Sequence, residues 1–161
     1  DEALPAEEAV NVFVNKMNEK AKEIGCKNTN FTCPDGFHND NHYTTAMDLL
    51  RITLYSQNYP EIAASGKKTY REVEFLSGEY IYWNNSNKLI QPDSDDYYTY
   101  ATGLKTGMTD YSGHCVVATA ERFGHELIIV CLGSESAAIR WNDTRALFDA
   151  GFAYIRDSDN G

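Results

Sequence analysis

The stretch GLKTGMTDYSGHCVVATA, residues 103–120, decides how the rest of the chain is read. Its triplet Lys105-Thr106-Gly107 lies between Gly103 and Gly113 and runs on into the apolar residues 116–120. A strand of this kind beside a cleft offers backbone N–H and C=O groups to an extended peptide. The Thr106 hydroxyl can bond a carboxylate. Lys105 brings positive charge to an anionic substrate terminus or to a developing negative charge. Gly107 carries no side chain, so a substrate can lie against the backbone there. By itself the triplet does not separate this reading from a surface lysine beside a turn.

Downstream, residues 116–120 and 127–132 are apolar runs separated by ERFGHE, whose Gly124 marks a turn. This predicts an antiparallel hairpin with Lys105, Thr106 and Gly107 on the neighbouring strand. Residues 141–152 read as a closing helix, with Asp143 near its start and Gly151 at its end. Upstream, Val10, Phe13, Met17, Ala21 and Ile24 recur at helical spacing, and Gly25 ends that helix. Pro5, Glu7 and Glu8 suit its first turn. After a polar loop over residues 27–41, Thr44 or Thr45 caps a second helix through Ala46, Leu49, Leu50 and Leu54. Pro60 opens a short helical turn, and residues 70–75 and 80–83 are β-prone. An acidic, tyrosine-rich loop fills residues 92–100. Helices first and an antiparallel sheet later, flanked by helices, make the fold class α+β. The chain reads as one domain, mainly helical over about residues 1–69 and a sheet with a closing helix over about 70–161.

The 161 residues carry 14 Lys plus Arg against 24 Asp plus Glu, a net charge of −10. That balance argues against nucleic acid, whose phosphates need a basic footprint, and against an anionic membrane surface. The longest apolar run is too short to span a bilayer, and no signal peptide is visible. The start at Asp1 and Glu2, without Met, is expected to be a trimmed or processed one. Cys26 and Cys33 flank a short loop and are close enough in sequence to pair, although spacing does not fix connectivity. Cys115 and Cys131 fall in apolar runs and are expected to be small buried hydrophobes. His38, His42, His114 and His125 show no ligand spacing, so neither a metal nor another cofactor is expected.

The wider context of the triplet resembles the serine D-alanyl-D-alanine carboxypeptidases, the low-molecular-mass penicillin-binding proteins. Phe13, Met17, Asn18, Lys20 and Gly25 are similar to a helix of that family. Thr29, Phe31, Pro34, Asp35 and Gly36 resemble its next loop, and the run from His42 to Leu49 its next helix. Asn85-x-Asn87-x-Leu89 precedes the triplet as it does there, and Ile139-Arg140-Trp141 matches the closing segment. The resemblance implies part of a β-lactamase/transpeptidase-like fold and a role in peptidoglycan metabolism outside the cytoplasm. It implies that Lys105 belongs to the network around the nucleophile and that the Met108 backbone N–H donates to the oxyanion. Thr106, Gly107 and Arg140 would hold the substrate, with Thr106 and Arg140 on its terminal carboxylate. The implied partners are the peptidoglycan stem peptide and, in the intact enzyme, β-lactams.

The family's nucleophile lies in Ser-x-x-Lys, and this chain is read as lacking it. The second motif, Ser-x-Asn, precedes the first helix in the family, so it is expected to lie ahead of Asp1. Ser56-Gln57-Asn58 and Ser158-Asp159-Asn160 fit its spelling in the wrong segments. The expectation is therefore a C-terminal portion of the catalytic domain, inactive alone and partnered by the missing N-terminal part. The alternatives are a non-catalytic peptidoglycan-binding module that kept the substrate wall, and a fragment of a class A β-lactamase.

Overall fold

The computed structural model describes residues 4–159. Helices α1 (Ala6–Glu23), α2 (Ala46–Ser56) and α3 (Pro60–Gly66) come first. A two-stranded ribbon follows, β1 (Tyr70–Glu74) antiparallel to β2 (Tyr80–Asn84). Strands β3 (Ala101–Thr109), β4 (Gly113–Arg122) and β5 (His125–Ser134) form a separate antiparallel sheet in that order. Helix α4 (Ala137–Asp159) closes the chain.

The predicted hairpin is present, and Lys105 lies opposite Val117 on the neighbouring strand. Its turn is a two-residue one in which Phe123 and Gly124 both have positive φ, 57° and 77°. That geometry matches the right-handed twist of the flanking strands. Alternation along β4 sends Val116, Ala118 and Ala120 to one face, where they are almost wholly buried. There they meet Leu89, Tyr98, Trp141, Phe148 and Phe152 in the core beneath α4. Tyr98 stacks on Phe148 and donates to Asp149 (2.8 Å). Burial, reinforced by that carboxylate, pushes the Tyr98 phenol well above its ordinary pKa.

Several expectations change. Helix α4 begins earlier than position 141 and runs past Gly151. Ser136 bonds its first turn, its Oγ accepting from the Ile139 N–H (3.2 Å). Gly151 does not end the helix: a Cβ there would lie 2.6 Å from Leu127 Cδ1, so the glycine lets α4 close on β5. In α1 the helix holds and Gly25 follows it at φ +87°, but Val10 and Phe13 are exposed while Val14 and Ala21 are buried. In α2 Thr45 is the cap, its side chain accepting from the Asp48 N–H. Asp48 and Thr53 are its buried residues, while Ala46 and Leu54 face solvent.

Asp48 is the reason. It is 1% exposed. One carboxylate oxygen accepts from the Lys27 and Asn28 amides and the Thr29 hydroxyl, and the other from Arg51 (2.8 Å). Burial alone would raise this carboxyl, but the donors outweigh it and hold the pKa below the ordinary value. Asn18 supports the same loop, its side chain exchanging two hydrogen bonds with the Phe31 backbone. The loop after α1 is thus fixed by polar bonds. Cys26 and Cys33 are not paired in it. Both are free thiols, Cys26 donating to the Asp48 carbonyl and Cys33 to the Phe37 carbonyl.

Candidate active site

Strand β3 is an edge of its sheet, so part of its backbone stays unpaired toward the neighbouring space. A cleft of about 810 Å³ lies there, between β3, the loop around Pro34 and the start of α4. Lys105, Thr106, Gly107, Met108 and Arg140 all line it, so the structure brings the predicted residues together. Thr106 is buried, whereas Lys105, Gly107 and the Met108 side chain are exposed. Lys105 Nζ donates to the Thr106 carbonyl.

Arg140 is 7% exposed. Its guanidinium stacks 3.9 Å from the Trp141 ring centroid, and Nη1 donates to the Cys115 carbonyl (3.1 Å). Among the described residues its Nε has no partner. Burial pushes its pKa below the ordinary arginine value, with Cys115 and Cys131 opposing. The group nonetheless stays cationic in water at neutral pH. A buried cation with an unused donor, stacked and oriented, is suited to an anion such as a carboxylate.

Ser86 is a cleft residue that sequence reasoning passed over. Its Oγ shares a short hydrogen bond with Thr106 Oγ1. The flanking asparagines present it. Asn85 bonds the Gly66 and Lys68 carbonyls, and Asn87, fully buried, accepts from the Leu89 N–H. The signal was the unassigned position between two asparagines. Cys115 corrects another expectation: it is half-buried and lines the cleft, because alternation along β4 puts it on the face opposite Val116. Cys131 is likewise only half-buried.

A second cavity, about 970 Å³ and mostly apolar, lies on the sheet face opposite α4. Leu49, Ile52, Ile62, Leu104, Val117 and Leu132 contribute to it, and it adjoins Lys105 and Thr106.

The reading that the chain lacks Ser-x-x-Lys is corrected by Ser65-Gly66-Lys67-Lys68. The structure places Ser65 at the C-terminal end of the short α3 and Lys68 beyond the helix. Their contact is backbone to backbone, Lys68 N–H to the Ser65 carbonyl (3.3 Å). No hydrogen bond joins the Ser65 hydroxyl to the Lys68 ammonium among the described residues, so no activated nucleophile is assembled there. Ser56-Gln57-Asn58 sits at the end of α2. Asn160 of the other Ser-x-Asn match lies outside the described residues.

Residues 7–136 match the D-alanyl-D-alanine carboxypeptidase family, well over half of the chain. The chain belongs to that family. It is 31% identical over 142 residues to the D-alanyl-D-alanine carboxypeptidase DacF of Bacillus subtilis, covering 88% of this chain and 35% of that protein. It is 29% identical over 149 residues to a D-alanyl-D-alanine carboxypeptidase of Streptomyces, covering 89% and 50%. The crystal structure of the Streptomyces K15 DD-transpeptidase superposes with a TM-score of 0.85 at 28% identity, over 94% of this chain and 58% of that one. Penicillin-binding protein D2 of Listeria monocytogenes, solved in its cefotaxime-bound form, gives 0.72 at 30% identity, over 87% and 55%. The chain therefore spans about half or less of the length of these two carboxypeptidases. The fold is theirs: helices with an antiparallel sheet, as in the Streptomyces enzyme.

Proposed function

We propose that this chain is the Lys-Thr-Gly wall of a serine-type D-Ala-D-Ala carboxypeptidase that trims the terminal D-Ala from peptidoglycan stem peptides outside the cytoplasm. The observation that carries the reading is the convergence of Lys105, Thr106, Gly107, Met108 and buried Arg140 on one cleft. The stem peptide lies along the β3 edge. Its terminal carboxylate is held by the Thr106 hydroxyl, fixed by Ser86, and by the Arg140 guanidinium. Lys105 supplies positive charge beside the nucleophile. The Met108 backbone N–H is one of two donors to the oxyanion. A serine attacks the carbonyl of the terminal peptide bond, D-Ala leaves as its amine carrying a proton, and water then hydrolyses the acyl-enzyme. A β-lactam acylates the same serine.

That serine is assigned to residues outside these 161, since Ser65 lacks the hydroxyl–ammonium contact. The apolar cavity beside Lys105 and the open outer edge of β5 are the surfaces against which the rest of the domain packs. The chain alone is then inactive. The second reading, a peptidoglycan-binding module without catalysis, is favoured by the same missing contact. Intact mass spectrometry after incubation with benzylpenicillin separates them. The 161-residue chain is expected to show no adduct, and the full-length protein one adduct on a serine outside it. An adduct on Ser65 refutes the assignment, and a full-length protein that never acylates supports the binding module.

A further inference from the structure

The β1–β2 ribbon takes no part in the cleft chemistry, yet it displays an organised row of aromatic rings. Residues directly opposite in an antiparallel pair share a face. Tyr70, Tyr82 and Tyr80 therefore lie on one side, opposite Asn84, Glu72 and Glu74. The three rings are 63%, 63% and 52% exposed. The Tyr82 hydroxyl already donates to Glu72 (3.2 Å). From Tyr80 to the level of Tyr70 is four residues along the strand, about 13 Å. A recess of about 180 Å³ lies at the Tyr70 end of the ribbon and is lined from both of its faces, by Tyr70 and Asn84 on the tyrosine side and by Arg71 and Trp83 on the other. Ser65, Lys68, Arg71, Trp83 and Asn84 line it with Tyr70. Among the described residues, the side chains of Lys68, Arg71, Trp83 and Asn84 have no hydrogen-bond or ion-pair partner.

The chemistry of this face selects its occupant. An apolar protein surface would strip water from Glu72 and Glu74 without replacing their hydrogen bonds, a costly exchange. A nucleic acid would meet two carboxylates and a chain of net charge −10. A pyranose ring has what the face lacks. Its axial C–H groups lie flat on an aromatic ring, and its equatorial hydroxyls reach the carboxylates and amides beside that ring. Acetamido groups add a carbonyl for the free donors of the recess, Asn84 on the tyrosine side and Arg71 and Trp83 on the other.

Position supports the same ligand. Asn84 lines both the recess and the apolar cavity beside Lys105, and two residues on, Ser86 bonds Thr106 in the cleft. A polymer whose peptide branch entered the cleft would pass its main chain along the ribbon. We propose that the tyrosine face of the ribbon and the recess at its root bind a glycan strand of N-acetylated amino sugars. The positional argument, and with it the identification of this glycan with the polymer bearing the stem peptide, rests on the carboxypeptidase reading; the aromatic face and its hydrogen-bonding groups do not.

The chain carries its own reporter. Of its two tryptophans, Trp83 is 55% exposed and Trp141 is 2% exposed. The probe is a peptide-free hexamer of β-1,4-linked N-acetylglucosamine, followed by tryptophan emission and by calorimetry. A saturable blue shift is expected, with Tyr82→Ala weakening binding roughly tenfold and Tyr82→Phe largely retaining it. No saturable change at millimolar sugar overturns the proposal. So does binding that Tyr82→Ala and Tyr80→Ala leave untouched, which places the sugar elsewhere. Self-association that those substitutions abolish, without any response to sugar, also overturns it and makes the ribbon a contact between copies. The probe contains no peptide, so a negative result leaves the penicillin experiment standing, and a failed acylation leaves this one standing.

Discussion

The two ends of the molecule hold themselves together by different means. In the sheet–α4 layer, Phe148, Phe152, Leu89 and Ala118 are 0% exposed and the bonding is apolar. In the α1–α2 region the buried anchor is a carboxylate, Asp48, while Phe13, Met47 and Leu54 are each more than half exposed. One end is a closed core. The other is a polar clasp that leaves apolar side chains on the outside, beside an open apolar cavity. Stability is therefore expected to reside in the sheet and α4, and the helical end is the side proposed above to accept further structure. The cleft lies where the two regimes meet.

The largest expected effect comes from opening the closed core. Phe148→Ala removes a fully buried ring that stacks on Tyr98. It should cost about 3–5 kcal/mol, read as a lowered denaturant midpoint with unchanged slope. A cost under about 1 kcal/mol would mean that α4 does not carry the stability.

Next is Arg140, which sits at the junction. A charge-assisted hydrogen bond is worth about 1.5–3 kcal/mol, and about 1.4 kcal/mol is tenfold. In the full-length enzyme Arg140→Ala should lower kcat/KM on a peptide with a free C-terminus by roughly ten- to a hundredfold. A substrate whose terminal carboxylate is masked as an amide should lose much less. Equal losses on both would leave Arg140 a structural residue under the Cys115 carbonyl.

The clasp should respond to acid. The folded Asp48 pKa is depressed, so its contribution is fully present above the unfolded aspartate value, near 3.9. It is lost as pH falls through the lower, folded value. The amide resonances of Lys27 and Asn28, which donate to this carboxylate, should titrate with a midpoint below that ordinary value. A midpoint at or above it would show that burial, not the donors, dominates.

What could be read in the sequence follows the same division. The hairpin and the flanking strand were legible because alternation and turn chemistry are local signals, whereas the convergence of Lys105 and Arg140 was legible only through the family resemblance. The buried face of α1 was not. Val10 and Phe13 keep helical spacing, but spacing records which residues are apolar and not whether anything covers them. Gly151 misled for a related reason: a helix-ending glycine and one that admits Leu127 look alike in sequence. Asp48 and Ser86 were hidden because their partners, the amides of residues 27 and 28 and the Thr106 hydroxyl, lie about 20 residues away. Ser65 and Lys68 show the converse, a motif in spelling whose side chains do not meet.

The smallest expected effect is the most discriminating, because it compares two neighbours on β4. Val116 is 1% exposed and packs under α4, whereas Val117, on the opposite face, is half-buried and lines the open cavity. In the 161-residue chain Val116→Ala should cost about 2 kcal/mol, two methyl groups at about 0.8 kcal/mol each plus a cavity contribution. Val117→Ala should cost under about 1 kcal/mol, because its methyls already border empty space. If the rest of the domain fills that cavity, the two costs should converge in the full-length protein, with Val117→Ala rising toward the Val116 value. Chemical denaturation of both variants in both lengths gives four numbers, and the difference of differences isolates what the added segment covers. A Val117 cost that is already large in the short chain means the cavity collapses on its own. One that stays small in the long protein means nothing packs against β4 there, and the wall would then stand without the half of the site it is proposed to complete.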